Sequence, residues 1–277
     1  MTERYADRPP VDTAAVEDAL SFAVDRVDSN LERYTDCFPP GESEDLVYGA
    51  GGPSGWTAGF WTGMTWLCYE RTGAERYREV AATHARRSAD HLVRDDGSTF
   101  HTYRFDTETG EPLRGETRQG YADDSCWTRG QAWAIYGFAL VYGYTGDTAF
   151  RAVAREVADY YLKRVPEDHV PPWDFDAPAE DAIRDSSAAA IAACGLLELA
   201  DAVPASDPDR QRYENAALAT LGSLAENYTT EGMDSNGILH SATGNKNKRG
   251  GEECCLWGDY FYTEGLVRAS ADWEPYW

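Results

Sequence analysis

The sequence predicts an all-α protein built from helical hairpins, and three observations carry that prediction. Residues 72–81 read TGAERYREVA and residues 145–154 read TGDTAFRAVA, an internal repeat. Each copy follows a helix-length segment rich in aromatic residues and glycine, and each leads into a more polar, amphipathic segment. No segment alternates apolar and polar residues for long enough to make a buried strand. The unit is therefore an αα-hairpin: an inner helix of small and aromatic residues, a Thr-Gly turn, and an outer helix with a charged face.

Taken in order, the chain opens with an amphipathic helix from Thr13 to about Arg33, expected on the outside. The first inner helix reads WTAGFWTGMTWLCYER over residues 56–71, and its outer partner follows the Thr-Gly turn. STFHTYRF, residues 98–105, reads as a short hairpin arm within a polar loop. The second inner helix reads CWTRGQAWAIYGFALVYGY over residues 126–144, with Asp124 or Ser125 as the expected N-cap. A third inner helix begins after Asp185, its outer partner after Asp207 with Pro208 at the first helical position, and a last inner helix near Trp257. The inner N-termini are expected to ring a common cleft, where unpaired N–H groups and positive dipole ends favour an anion.

Charge and composition narrow the function. Of 277 residues, 48 are acidic and 25 basic, for a net charge of −23, and the only lysines are Lys163, Lys246 and Lys248. The acids are spread along the whole chain, which suits a surface solvated in near-molar salt, where the Debye length falls to about 3 Å. We therefore expect a halophilic protein. No basic stripe exists to neutralise phosphates, so nucleic acid is not an expected partner. No eighteen-residue apolar run and no basic-then-apolar leader occurs, so membrane association is not expected and a cytoplasmic location is. The six cysteines lack CxxC spacing and read as buried thiols; Asp174 and Asp176 in WDFD alternate in an extended loop, so they are expected to point apart, and they lack the Gly and Glu of a calcium loop. No metal or other cofactor is implied.

Residues 120–137, GYADDSCWTRGQAWAIYG, hold the most chemistry. Arg129 and Trp133 stand four apart and are neighbours on one helical face. A guanidinium grips a carboxylate and an indole stacks on a sugar ring, so this face suits an acidic carbohydrate. The alternative is that Trp133 packs in the core and Arg129 pairs a buried acid.

WTAGFWTGMTWLCYERTG, HARRSADHLVRDDGSTFHTYRFD, RQGYADDSCWTRGQAWAIYGFAL, WDFDAP with RDSSAAAIAACGLLELA, and LWGDYFYTEGLVR together resemble the unsaturated glucuronyl hydrolases, glycoside hydrolase family 88. The resemblance runs in order through nearly the whole chain. It implies one domain over residues 1–277, an (α/α) toroid of six hairpins, and action on lyase-generated oligosaccharides ending in a 4,5-unsaturated uronic acid. It assigns His101, Gln119, Arg129 and Trp133 to the subsite holding that sugar, with Trp127 supporting the wall. The reaction it implies is protonation of the ring double bond by an Asp and addition of water to the enol-ether carbon, after which the hemiketal opens and releases the neighbouring sugar.

The chain departs from the family pattern at one place. The proton-donating Asp belongs to a His-Asp-x-Gly-Phe motif and its partner to an Ile-Asp-x-x-x-Asn stretch; neither motif occurs here. TGAERYREVA runs straight into THARRSADHLV, as though about two hairpins were lost near residues 80–84. The catalytic residues of this chain are thus unknown. Three readings stay open: a hydrolase by descent, an inactive remnant that binds uronate sugars, and a related unsaturated rhamnogalacturonyl hydrolase.

Overall fold

The computed structural model describes residues 13–35, 37–40, 42–49, 59–106 and 109–271. The chain divides into two compact units: Met1–His84 with Thr107–Gly110, and Ala85–Asp106 with Glu111–Trp277.

The first unit holds α1 (Thr13–Asn30), α2 (Gly59–Thr72) and the first half of α3 (Glu75–Leu92). Its core is Val27, Leu31, Tyr34, Trp61, Cys68, Tyr77 and Val80. Trp61 packs edge-on against Tyr34 at 5.3 Å and donates its indole N–H to the Tyr34 carbonyl at 3.1 Å, so the buried ring leaves no donor unmatched. The expected start of the inner helix at residues 56–58 lies outside the described residues.

In the second unit, the end of α3 leads into a hairpin of β1 (Thr102–Phe105) and β2 (Pro112–Glu116), antiparallel with Thr102 opposite Glu116. Then come α4 (Thr128–Thr145), α5 (Thr148–Arg164), α6 (Ser186–Ala202), α7 (Pro208–Asn227), a single turn α8 (Lys246–Arg249) and α9 (Leu256–Ser270). Helix α6 is the axis: every residue from Ser186 to Leu196 is buried. A run of alanines lets its neighbours approach closely. A Cβ on Gly195 of α6 would lie 2.7 Å from the Tyr136 nitrogen of α4, and one on Gly258 of α9 would lie 2.9 Å from Ser187 Cβ. So α4 and α9 flank α6, while α5 and α7 lie outside.

The sequence repeat is a structural repeat. Gly73 and Gly146 end α2 and α4 with φ of 66° and 68°, and each donates its N–H to the tyrosine carbonyl four residues back, at 2.7 Å in both turns. Thr72 and Thr145 each bond a carbonyl one turn earlier and accept from the residue two ahead. Glycine is required because an L side chain in this left-handed region costs about 1–2 kcal/mol.

Two local expectations are corrected. The N-cap of α4 is Trp127, with no side-chain cap bond. Ser125 is drawn away because its hydroxyl donates to Asp174 at 2.7 Å. Asp174 and Asp176 do not point apart. The Asp176 N–H turns back onto Asp174 at 3.0 Å, and both carboxylates reach the segment before α4, at the Tyr121 and Cys126 amides. Asp185 and Asp207 cap α6 and α7 as expected.

Candidate functional site

The first turns of α4, α6 and α9 meet at Arg129. Arg129 is 3% exposed, and its guanidinium lies 4.6 Å over the Trp127 ring and 5.2 Å over the Trp257 ring. Nη1 donates to Asp185 Oδ2 at 2.7 Å, the Thr243 carbonyl at 2.6 Å and Ser187 Oγ at 3.3 Å. Nη2 donates to the Gly244 carbonyl at 2.7 Å and Gln119 Oε1 at 3.2 Å. Four Nη hydrogens thus meet five oxygens. The structure realises the pairing of Arg129 with a buried acid, and the Gln119 bond is the longest of the two on Nη2.

Asp185 is fully buried and saturated. Besides Arg129, it accepts from Ser187 Oγ at 2.5 Å, Thr243 N at 3.2 Å and Ala188 N at 3.3 Å. One carboxylate therefore caps α6, holds the guanidinium and pins residue 243, in the loop that follows α7. Leu239, Ala242 and Thr243 of that loop are buried.

His101 lies on the other side of Trp127, ring centroids 4.1 Å apart. Its Nδ1 accepts from the Arg118 and Gln119 amides at 3.1 and 3.3 Å. Two backbone donors on Nδ1 fix the neutral tautomer with hydrogen on Nε2. Burial, then the charges of Arg129 and Arg118, lowers the imidazole pKa to about 4. His101 is consequently a neutral hydrogen-bond donor near pH 7.

Trp133, one turn along α4, stays 38% exposed and rests edge-on against Phe261 at 5.1 Å. Its free ring face suits a sugar. The glycines of this helix play different parts: a Cβ on Gly130 would lie 3.0 Å from the Trp127 ring, whereas one on Gly137 would meet nothing within 4 Å. An open groove of about 460 Å³ lined by His91, Arg94, Phe100 and Tyr103 lies apart from this cluster.

No family model matches the chain. The sequence is 42% identical over 217 residues to the unsaturated chondroitin disaccharide hydrolase of Streptococcus pneumoniae, covering 77% of this chain and 55% of that protein. The chain thus spans just over half the length of that curated relative. A solved unsaturated glucuronyl hydrolase from Bacillus sp. GL1, described as responsible for glycosaminoglycan degradation, matches with a TM-score of 0.74 at 38% identity, over 91% of this chain and 68% of that one. This chain belongs to the unsaturated glucuronyl hydrolase family. A variant of the Streptococcus agalactiae unsaturated glucuronyl hydrolase, solved with dGlcA-GalNAc6S, matches with a TM-score of 0.69 at 30% identity, over 99% of this chain and 96% of that one. The helical hairpins described above are those of the family's (α/α) toroid.

In this chain, Arg129 bonds Gln119 and lies over Trp127, the His101 ring packs tilted against Trp127, and Trp133 stands one turn away. Sequence reasoning missed Trp257. It is 39% exposed, closes the far side of Arg129, and donates Nε1–H to Ser187 Oγ at 3.1 Å. Its signal was its place in the first turn of the last inner helix, the position that Arg129 holds in α4. The other acids here are engaged as acceptors: Asp174 and Asp176 as above, and Asp259 from the Leu239 amide at 2.9 Å. All six cysteines are free thiols as expected, but only Cys68, Cys126, Cys194 and Cys255 are buried, whereas Cys37 is half-buried and Cys254 exposed; burial pushes the Cys126 thiol up to about 12.

Proposed function

We propose that this chain holds the unsaturated uronic acid at the end of lyase-generated oligosaccharides, in the cytoplasm of a cell at high salt, and does not by itself hydrate it. The observation that carries the binding half is the guanidinium between two indoles at three helix N-termini. A sugar carboxylate displaces Gln119, the weaker of the two acceptors on Nη2, and frees its amide to meet a hydroxyl. Trp133 stacks on the ring, and His101 donates its Nε2 hydrogen.

What supports the non-catalytic half is how the described acids around Arg129 are held. The motifs that bear the family's two catalytic aspartates are missing from the sequence. Asp174, Asp176, Asp185 and Asp259 are spent on backbone amides, loop anchoring and Arg129. An internal excision near residues 80–84 accounts for this. What supports it is α3, which leaves the first unit and enters the second at His84. Its first half buries Tyr77, Val80, Ala81, Ala82 and His84, whereas none of residues 85–92 is fully buried.

The test is calorimetry and ultraviolet absorbance with a dGlcA-containing chondroitin disaccharide in roughly 2 M KCl. Expected are binding that Trp133→Ala weakens at least ~10-fold, or about 1.4 kcal/mol, and no loss of the double-bond absorbance. Steady turnover would overturn the non-catalytic half, and absence of binding would overturn the whole reading. Sequencing the coding region across Val80 to His84 checks the excision directly.

A further inference from the structure

Arg129 brings a positive charge to the site but not a net one. Its guanidinium is paired with Asp185 at 2.7 Å, both side chains are buried, and its remaining Nη hydrogens face neutral oxygens. A sugar carboxylate that enters there meets a cation whose charge is already cancelled, in a chain whose net charge is −23. Taking such a group out of water without a counter-ion is costly. The site therefore needs another cation.

Arg118 stands beside it. It precedes Gln119, is exposed, and its guanidinium is paired with none of the described residues. The acids near it in the chain are engaged elsewhere: Glu116 with Arg104 and Arg114, and Asp123 with the Thr117 amide at 2.9 Å. Arg155, Arg164 and Arg184 of the same unit each hold an aspartate; Arg118 holds none.

The backbone under Arg118 is fixed although its side chain is free. Five consecutive amides, residues 117–121, are bonded: Thr117 to Asp123 Oδ1, Arg118 and Gln119 to His101 Nδ1, Gly120 to Thr117 Oγ1, and Tyr121 to Asp174 Oδ2. Arg118 and Gln119 thus turn about one nitrogen of His101. Besides burial, the larger cause, it is the charge of Arg129 and then of Arg118 that lowers the His101 pKa, so both guanidinia are felt at that ring. An anion beside His101 and Gln119 lies in the field of both, and only Arg118 has an uncancelled charge to give.

We propose that Arg118 is the counter-ion of the sugar carboxylate: Arg129, Gln119 and His101 fix where the uronate sits, and the Arg118 side chain closes onto it and neutralises it. This rests on the uronate reading of the site and adds the residue that sets its preference for an acidic over a neutral sugar. The planar fork of a guanidinium meets a carboxylate through two parallel N–H···O bonds. Such a contact persists in salt that shortens the Debye length to about 3 Å and abolishes attraction at longer range.

The test is calorimetry on the full chain in roughly 2 M KCl with the unsulfated unsaturated chondroitin disaccharide and with its uronate methyl ester, which keeps the ring and double bond but has no charge. The acid should bind at least ~10-fold more tightly than the ester, and Arg118→Gln should remove at least ~5-fold of that preference, as expected for a direct charge-assisted contact. Arg118→Lys, which keeps the charge without the fork, should fall between the two. The acid-to-ester ratio within each variant cancels any change that affects both ligands alike, so a purely structural role of Arg118 leaves it where it was. A ratio that survives Arg118→Gln, or a Lys variant that discriminates no better than the Gln one, overturns the proposal and leaves the uronate site standing without it. Equal binding of acid and ester by the unsubstituted chain overturns it too. Binding of neither overturns the uronate reading itself, and this assignment with it.

Discussion

Asp185→Asn is isosteric, and the structure makes it one of the most damaging single substitutions available. The carboxylate has donors on every side: Arg129 Nη1 on Oδ2, and Ser187 Oγ, Thr243 N and Ala188 N on Oδ1. An asparagine keeps one oxygen and gains an NH2. Facing Arg129, the NH2 sets donor against donor beside an unneutralised guanidinium; flipped, it abuts two backbone N–H groups that cannot turn away. Removing one partner of a buried ion pair costs about 3–5 kcal/mol, and no solvent reaches Asp185 to soften that. In a unit of this size about 1 kcal/mol moves Tm by about 2–4 °C, so a drop of roughly 6–20 °C is expected. The assay is thermal and urea unfolding in 2 M KCl, followed by tryptophan fluorescence, for wild type, Asp185→Asn, Arg129→Gln and the double variant. The double variant should be less destabilised than the sum of the singles, because the second change removes the charge the first left unpaired. A loss below about 1 kcal/mol, or simple additivity, would refute the reasoning.

His101 gives a pH prediction of definite sign. The unfolded imidazole takes its proton near 6.5 and the folded one only near 4, so stability is full above about pH 6.5 and falls as pH drops toward 4. The ring is partly solvated, so the loss is discounted to about 1–2 kcal/mol; urea midpoints from pH 7.5 to 4.5 should show it, and His101→Gln should flatten it. Trp133→Ala forfeits mainly its edge contact with Phe261, which costs the fold about 1 kcal/mol, so its melting curve should stay close to wild type while sugar binding falls. Gly73→Ala and Gly146→Ala should each cost about 1–2 kcal/mol by denaturant titration, and the two values should agree because the turns share the same bonds. Raising KCl from 0.2 to 2 M should stabilise wild type, through screening of the surface acids, without shrinking the Asp185→Asn penalty.

What the sequence made legible was local. A Thr-Gly turn is written in two adjacent residues, so the equivalence of residues 72–81 and 145–154 could be read directly and recurs bond for bond. Asp185 and Asp207 cap helices through amides two or three residues away. The errors share the opposite property. Ser125 fails to cap α4 because Asp174, 49 positions on, claims its hydroxyl. Both readings of Arg129 were available from its neighbours, but the acid that pairs with it is 56 positions away and the carbonyls over it are 114 and 115 away. Trp257 was invisible as a site residue for the same reason: only the packing of α9 on α6 brings it to Arg129.

Helix α3 bears directly on the proposed excision. A cut in the middle of a helix preserves structure only if the join keeps the buried stripe in phase. Tyr77, Ala81 and His84 form that stripe in the first unit, and Ser88 and Leu92, only half-buried, continue its helical spacing in the second. The helix therefore runs unbroken through the join, and each unit retains its own core. In the second unit, Arg86 still reaches Asp147 at 3.3 Å and covers the Phe150 ring, so this outer helix keeps its outer neighbour. Its inner side is poorer, with no fully buried residue from 85 to 92. Loss of whole hairpins from a stack of nearest-neighbour contacts removes walls and leaves the surviving interfaces intact.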